Sequence, residues 1–443
     1  MLPPGLADAI EALANTLFMP WVVGVLLAGG VFLTLRTAVV QVRRFGEAWR
    51  VALVRSSGAT GALTPFQAFM TALAASVGTG NIAGVATAIV SGGPGALFWI
   101  WVYGFLAMAI KFSEAVLGVS FRDIRGTAVL SGPMYYLRDG LHSRALAWIF
   151  ALVAAVAALT TTPFTQPNSI ALVTYSVFGI PKLWAGIVIA VLTWLVIIGG
   201  ITSIGRAAEK LSPLKVALYL VGGLIVIVFN AGRVPAVLAL VVREAFTVHS
   251  ALGFGVFVAM RYGIARGIYA NEAGYGTAAV AYGTARSSQP VQQGLNAVTE
   301  VFIVSFVTST ISALTILLTG VWQSGQTSTA AVATAFNTTM PHVGGWIVAF
   351  CTFLFGYTTL IGWAYYGEQF FEYILGRRVT RPYRWIYCLL IPFGAITKVD
   401  VVWAWGDLMN ALQVFPNLIG LVGLSAVVAR VARERLTAAT GRS

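Results

Sequence analysis

The chain has 443 residues, of which 58% are hydrophobic and only 10% charged, with a mean hydropathy of +0.83. A soluble domain carries roughly 25% charged residues, so this composition excludes a water-soluble globular protein and leaves an integral membrane protein with little outside the bilayer. The formal charge of +13 does not mark a nucleic-acid surface, because the basic residues lie between apolar stretches, where Lys and Arg orient a chain in the membrane.

Apolar stretches of about 20 residues, each long enough to cross a bilayer, recur along the whole length. Eleven spans are predicted, at 17–35, 64–89, 95–119, 145–163, 183–200, 214–230, 252–284, 296–319, 343–373, 385–397 and 408–429. The N-terminal stretch lacks the basic region and small-residue cleavage site of a secretory signal, so it is expected to remain as a span. With the N-terminus outside, the cytoplasmic segments are 36–63, 111–144, 201–215, 285–295, 374–384 and 430–443. These hold 22 of the 28 Lys and Arg residues. The bias predicts a multi-pass protein of a prokaryotic plasma (inner) membrane with its C-terminus in the cytoplasm.

Two spans carry glycines and polar residues near their middle. Span 64–89 contains Ser76-Val77-Gly78-Thr79-Gly80-Asn81, and span 252–284 contains Asn271-Glu272-Ala273-Gly274-Tyr275-Gly276. An unwound turn at that depth survives only when buried in protein or lining a cavity. Each interrupted span opens a run of five, and the two runs have opposite orientation, which is the pattern of an inverted-repeat secondary transporter. The expected organisation is a peripheral helix and basic linker over 1–63, a first repeat over 64–230, a second over 252–429, and a basic tail over 430–443.

Unwound turns free N–H groups for a carboxylate and carbonyls for a cation. A zwitterionic amino acid with a co-transported cation needs both. Gly78 to Asn81 can supply the donors, because glycine lets a ligand approach the backbone; packing between helices is the plainer role for such glycines. Glu272 reads as the only acidic residue deep within a predicted span, suited to a substrate ammonium, to coupling, to a gate held with Arg261 or Arg266, or to an internal ion pair or helix-end bond. After span 145–163, the run Thr160 to Asn168 offers hydroxyls and amides that either bind an amine or cap a helix at the outer surface. In span 343–373, Thr358 and Thr359 offer oxygens to a hard cation or bond back to their own helix. Trp363, four residues past Thr359, shares its helical face and can wall a small pocket.

Other classes fit less well. An ion channel needs a continuous pore ringed by repeated filters. An enzyme is not expected: His142, His249 and His342 all fall in predicted loops, and Cys351 and Cys388 lie in apolar segments as structural thiols.

At these residues the sequence resembles the alanine or glycine:cation symporters, also called the sodium:alanine symporter family. The run Gly92-Gly93-Pro94-Gly95-Ala96-Leu97-Phe98-Trp99-Ile100-Trp101 is similar to the family's diagnostic segment, with Ile100 where methionine is usual. Val77 to Ala86 is close to its first broken helix. Gly132-Pro133-Met134-Tyr135-Tyr136, Ala208-Glu209-Lys210-Leu211, Asn271-Glu272-Ala273-Gly274 and Pro416-Asn417-Leu418 extend the match over about 64–420. Tyr275 and Thr277 depart from the usual pattern.

The resemblance implies an all-α, leucine-transporter-like fold of five plus five helices with one extra N-terminal helix. It implies symport of a small neutral amino acid, alanine or glycine, with sodium by alternating access; a proton in place of sodium, or another small solute, is the alternative. Carried over by motif, Gly78, Thr79, Gly80 and Asn81 meet the substrate carboxylate, Gln166 lies near its amine, and Thr359 and Trp363 complete the pocket. By analogy to the wider fold, sodium would use the carbonyls of Ala74 and Val77 with Thr358 and Thr359.

Overall fold

The computed structural model describes residues 12–14, 16–53, 61–125, 128–247 and 255–440; His249 and the outer parts of the predicted N-terminal region and C-terminal tail lie outside these. The described residues are nearly all helical. Labelled in chain order, the helices that build the bundle are α1 (Val23–Arg36), α2 (Pro65–Ser76), α3 (Ala83–Gly92), α4 (Ala96–Ser120), α5 (Arg144–Thr160), α6 (Thr162–Phe178), α7 (Lys182–Ile197) and α8 (Gly200–Phe229). They continue with α9 (Val256–Asn271), α10 (Thr277–Gly283), α11 (Pro290–Phe302), α12 (Ser309–Thr319), α13 (Gly344–Leu375), α14 (Thr380–Ile396) and α15 (Val399–Gly423). Shorter helices at Pro133–Asp139, Val234–Phe246 and Ser328–Thr339 fill connections, and β1 (Asp123–Arg125) pairs antiparallel with β2 (Ala128–Leu130).

Five helices are long and apolar enough to cross a membrane, and up to seven when each sharply bent pair counts as one span. The outer face of the bundle is apolar: Trp184 and Leu195 on α7, Phe229 on α8, and Leu389 and Phe393 on α14 are each more than 60% exposed. Such a belt is unfavourable in water and favourable against lipid. Span 145–163 is longer than the sequence suggests. Helix α5 runs into α6 through a local distortion at Thr161, so Arg144–Phe178 forms one 35-residue crossing. The polar run Thr160 to Asn168 therefore lies within a span rather than at a surface cap.

Both sequence-flagged interruptions are real breaks in the chain. The Thr64 side chain and Gln67 start α2 with a reciprocal capping box, and Pro65 fills the first helical position. The helix stops because Val77 and Gly78 leave helical geometry, and α3 departs at 57° to α2. Between α9 and α10, Glu272 lies at φ 57°, Gly274 at 96° and Gly276 at 79°. This left-handed region is disfavoured for side chains, which explains the glycines and makes Glu272 a strained exception.

At one end of the bundle the two broken helices are joined by main chain. The N–H groups of Ala62 and Leu63 donate to Thr284 O at 2.9 and 3.1 Å, and Arg286 N–H donates to Leu63 O at 2.7 Å. The Arg122 guanidinium donates to the carbonyls of Gly283, Ala285 and Ser287.

Candidate functional site

The first break is held open by side chains from other helices. The backbone N–H and hydroxyl of Thr79 both donate to Gln166 Oε1, at 3.1 and 3.0 Å. The Thr359 hydroxyl donates to Ala75 O at 2.8 Å and Ala74 O at 3.2 Å, fixing α13 to the end of α2. Asn81 faces the other way: its amide donates to Ser76 O, and its Oδ1 accepts from the hydroxyls of Thr308 and Ser309.

The carbonyls at the end of α2 also meet a charge that the sequence reading treated as a loop residue. Lys215 lies in the middle of α8, fully buried. Its ammonium donates to Val77 O at 2.6 Å, Ala74 O at 3.1 Å and Leu73 O at 3.4 Å, and to the Thr358 hydroxyl at 2.6 Å. Helix ends leave carbonyls without intrahelical partners and gather partial negative charge, so this is where a buried cation is best accommodated.

The second break receives the opposite charge. Glu114 on α4 is buried, and its Oε1 accepts from the N–H groups of Gly274 and Gly276 at 2.9 and 3.1 Å and from the Asn417 amide at 2.9 Å. Glu272, at the start of the break, accepts from Trp363 Nε1 at 2.5 Å and from the Thr277 hydroxyl at 2.9 Å. Arg266 does not pair with Glu272. It forms an ion pair with Asp407 on α15, and its guanidinium lies 4.9 Å from the Trp403 ring. Glu272 is also not alone among buried acids: Glu114 and Glu300 are buried inside predicted spans, Glu300 paired with Lys111.

Between the two breaks lies a small cavity of about 20 Å³, lined by Gly78, Gly80, Gln166, Glu272, Thr359 and Trp363, among others. Of the residues expected to meet substrate, Gly78, Gly80, Gln166, Thr359 and Trp363 line it. Thr79 touches it through Gln166, and Asn81 points to α12. Ala74, Val77, Thr358 and Thr359, expected around sodium, do come together, with the Lys215 ammonium among the first three. Thr161 and Thr162, from the polar run Thr160 to Asn168, line it too, as does Tyr275 from the second break; sequence reasoning missed Tyr269 and Asn410. Tyr269 covers the Arg266 side: its hydroxyl donates to Thr165 Oγ1 at 2.7 Å, and its ring packs 4.9 Å from Trp403.

The sequence model of the sodium:alanine symporter family matches residues 5–439. This chain belongs to that family. It is 38% identical to the sodium/alanine symporter AgcS of Methanococcus maripaludis, over 92% of each chain. It is 35% identical to the probable sodium/glutamine symporter GlnT of Bacillus subtilis, over 95% of this chain and 89% of that one. Its fold is that of the leucine-transporter-like proteins. It superimposes on MhsT in complex with L-phenylalanine with a TM-score of 0.56 at 12% identity, covering 84% of this chain and 100% of that one. Sodium:alanine symporters are membrane transporters, so this member is a multi-pass membrane protein.

Proposed function

We propose that the chain is a secondary active symporter that carries a small neutral amino acid, alanine or glycine, into the cell with a monovalent cation. In this reading there are eleven crossings with the N-terminus outside: a peripheral first helix and ten that form two inverted five-helix repeats, with the pocket opening alternately to either side. The observation that carries it is that both helix breaks border one small pocket together with Gln166, Glu272, Thr359 and Trp363.

The polarity of that pocket suits a zwitterion. An amide oxygen has two lone pairs, and Gln166 Oε1 already accepts two hydrogens from Thr79. Its amide nitrogen donates one hydrogen to Thr165 Oγ1 at 3.4 Å and has a second left for a substrate, and a donor suits the carboxylate better than the amine. The carboxylate then lies against Gly78, Gly80 and the Gln166 amide, with the ammonium toward Glu272. Trp363, Tyr269 and Tyr275 surround the space left for a side chain. A substrate larger than that space overpacks it, at about 1–3 kcal/mol or more.

The names of the relatives suggest sodium as the coupling ion. A second reading, a proton in its place, is supported by a Bacillus subtilis relative, 32% identical over 95% of this chain, named as a putative sodium/proton-dependent alanine carrier. The test is uptake of labelled alanine into proteoliposomes under an inward sodium gradient and, separately, an inward proton gradient. Accumulation above equilibrium under either establishes symport and names the ion. Failure under both, across alanine, glycine and serine, overturns the substrate class.

A further inference from the structure

We propose that Lys215 is a tethered cation: its ammonium occupies the position at which this fold would hold a sodium ion, so that this position takes no free sodium. The proposal rests on the reading of the chain as a cation-coupled symporter and assigns one residue's part in it.

Three observations carry it. The ammonium partners are the carbonyls of Leu73, Ala74 and Val77 and the hydroxyl of Thr358, with no carboxylate among them. That is an all-oxygen, uncharged donor set, the kind that replaces a monovalent ion's hydration shell, and three of its members are those expected around sodium. The nitrogen also sits within 2.6 Å of Val77 O and of Thr358 Oγ1. A sodium ion on the same oxygens would contact a like charge with no carboxylate to offset it. Finally, the lysine is positioned by its own helix. Ser212, nearly one turn earlier on α8, donates to Met70 O at 3.0 Å and seats α8 against α2, and the Phe355 ring lies 5.4 Å from the ammonium.

An ordinary buried lysine is found with a carboxylate, as Lys111 is with Glu300 in this same chain. Lys215 instead joins the end of α2 to α13 as a bound cation would, with α8 as the tether. Removing its side chain leaves the same oxygens facing an empty space.

The test is binding of radiolabelled sodium to the purified full-length protein in detergent, without amino acid, for wild type, Lys215→Ala and Thr358→Val. The expected result is no Thr358-dependent saturable binding in wild type, and a newly gained saturable binding in Lys215→Ala. Adding Thr358→Val to Lys215→Ala should abolish it. A folded Lys215→Ala protein that gains no sodium binding overturns the proposal, because the oxygens are then not a cation site. Should Lys215→Ala fail to fold, wild type decides. Saturable sodium binding lost in Thr358→Val overturns the proposal, whereas absent binding, or binding that Thr358→Val leaves unchanged, supports it. Alanine counterflow in sodium-free buffer, run alongside, tests the parent reading: no counterflow in any buffer sinks the symporter assignment while the sodium result stands.

Discussion

Trp363 Nε1 donates to Glu272 Oε1 at 2.5 Å, so a tryptophan on α13 orients a carboxylate that begins the second helix break. Both residues line the same pocket. Hydrogen bonds to a charged group contribute about 1.5–3 kcal/mol. Trp363→Phe keeps the aromatic wall and removes the donor, and should weaken alanine binding by roughly tenfold or more. Glu272→Gln keeps an acceptor for Trp363 but removes the charge, and should weaken binding of alanine more than binding of a substrate analogue lacking the amine. Calorimetric titration of both variants checks this. Equal losses for the two ligands would remove Glu272 as the ammonium partner.

Gly78 is the tightest point of the first break. A Cβ there would lie 2.5 Å from Thr359 Oγ1 and 3.2 Å from Gln166 Oε1, while one at Gly24 on α1 would meet nothing within 4 Å. Gly78→Ala should therefore abolish uptake while the protein still inserts and purifies as a folded species, and Gly24→Ala should transport normally. Uptake in proteoliposomes, with size-exclusion profiles as the folding control, distinguishes a blocked pocket from a damaged bundle.

Arg266 and Asp407 are paired on the side of the pocket that Tyr269 covers. Removing one partner of a largely buried ion pair leaves the other uncompensated, at about 3–5 kcal/mol in buried cases. Asp407→Asn should leave alanine able to bind but reduce concentrative uptake several-fold, since the closed state on that side is selectively weakened. Exchanging the charges, Arg266→Asp with Asp407→Arg, should restore part of it. If Asp407→Asn abolishes alanine binding altogether, the pair belongs to the pocket and is not a gate.

Lys111 and Glu300 form a buried pair away from the pocket, with the Tyr282 hydroxyl donating to Glu300 Oε2 at 2.8 Å. Lys111→Met or Glu300→Gln alone should lower thermal stability markedly, by the same uncompensated-charge argument. The double variant Lys111→Met/Glu300→Leu should recover most of it. Melting temperatures in detergent report this directly.

The helix breaks were legible in the sequence because glycine and polar residues in an apolar span have few other uses, and Gln166, Thr359 and Trp363 followed from the family resemblance. Lys215 was not legible. At the edge of a basic loop segment, 201–215, it counts as one more orienting cation, and only the packing of α8 on α2 shows that it is buried. Glu114 and Asp407 were missed for the same reason: a charge inside a membrane protein is explained by partners far away in sequence, here Gly274, Asn417 and Arg266. Tyr269 resembles any aromatic residue in an apolar helix until its hydroxyl is seen on Thr165. The true length of Arg144–Phe178 was hidden by the polar run Thr160 to Asn168, which fits a helix cap at the surface but continues into α6, with Pro163 in its first turn and Pro167 inside it.

The main-chain junction of Leu63 with Thr284 and Arg286 has a consequence for how such a protein tolerates mutation and how its motion can be timed. Hydrogen bonds between peptide groups do not depend directly on which side chains those residues carry. They also carry a clock. The amide protons of Ala62, Leu63 and Arg286 exchange with deuterated solvent when these bonds part, so their exchange rates count local openings of the junction without any transported molecule being followed.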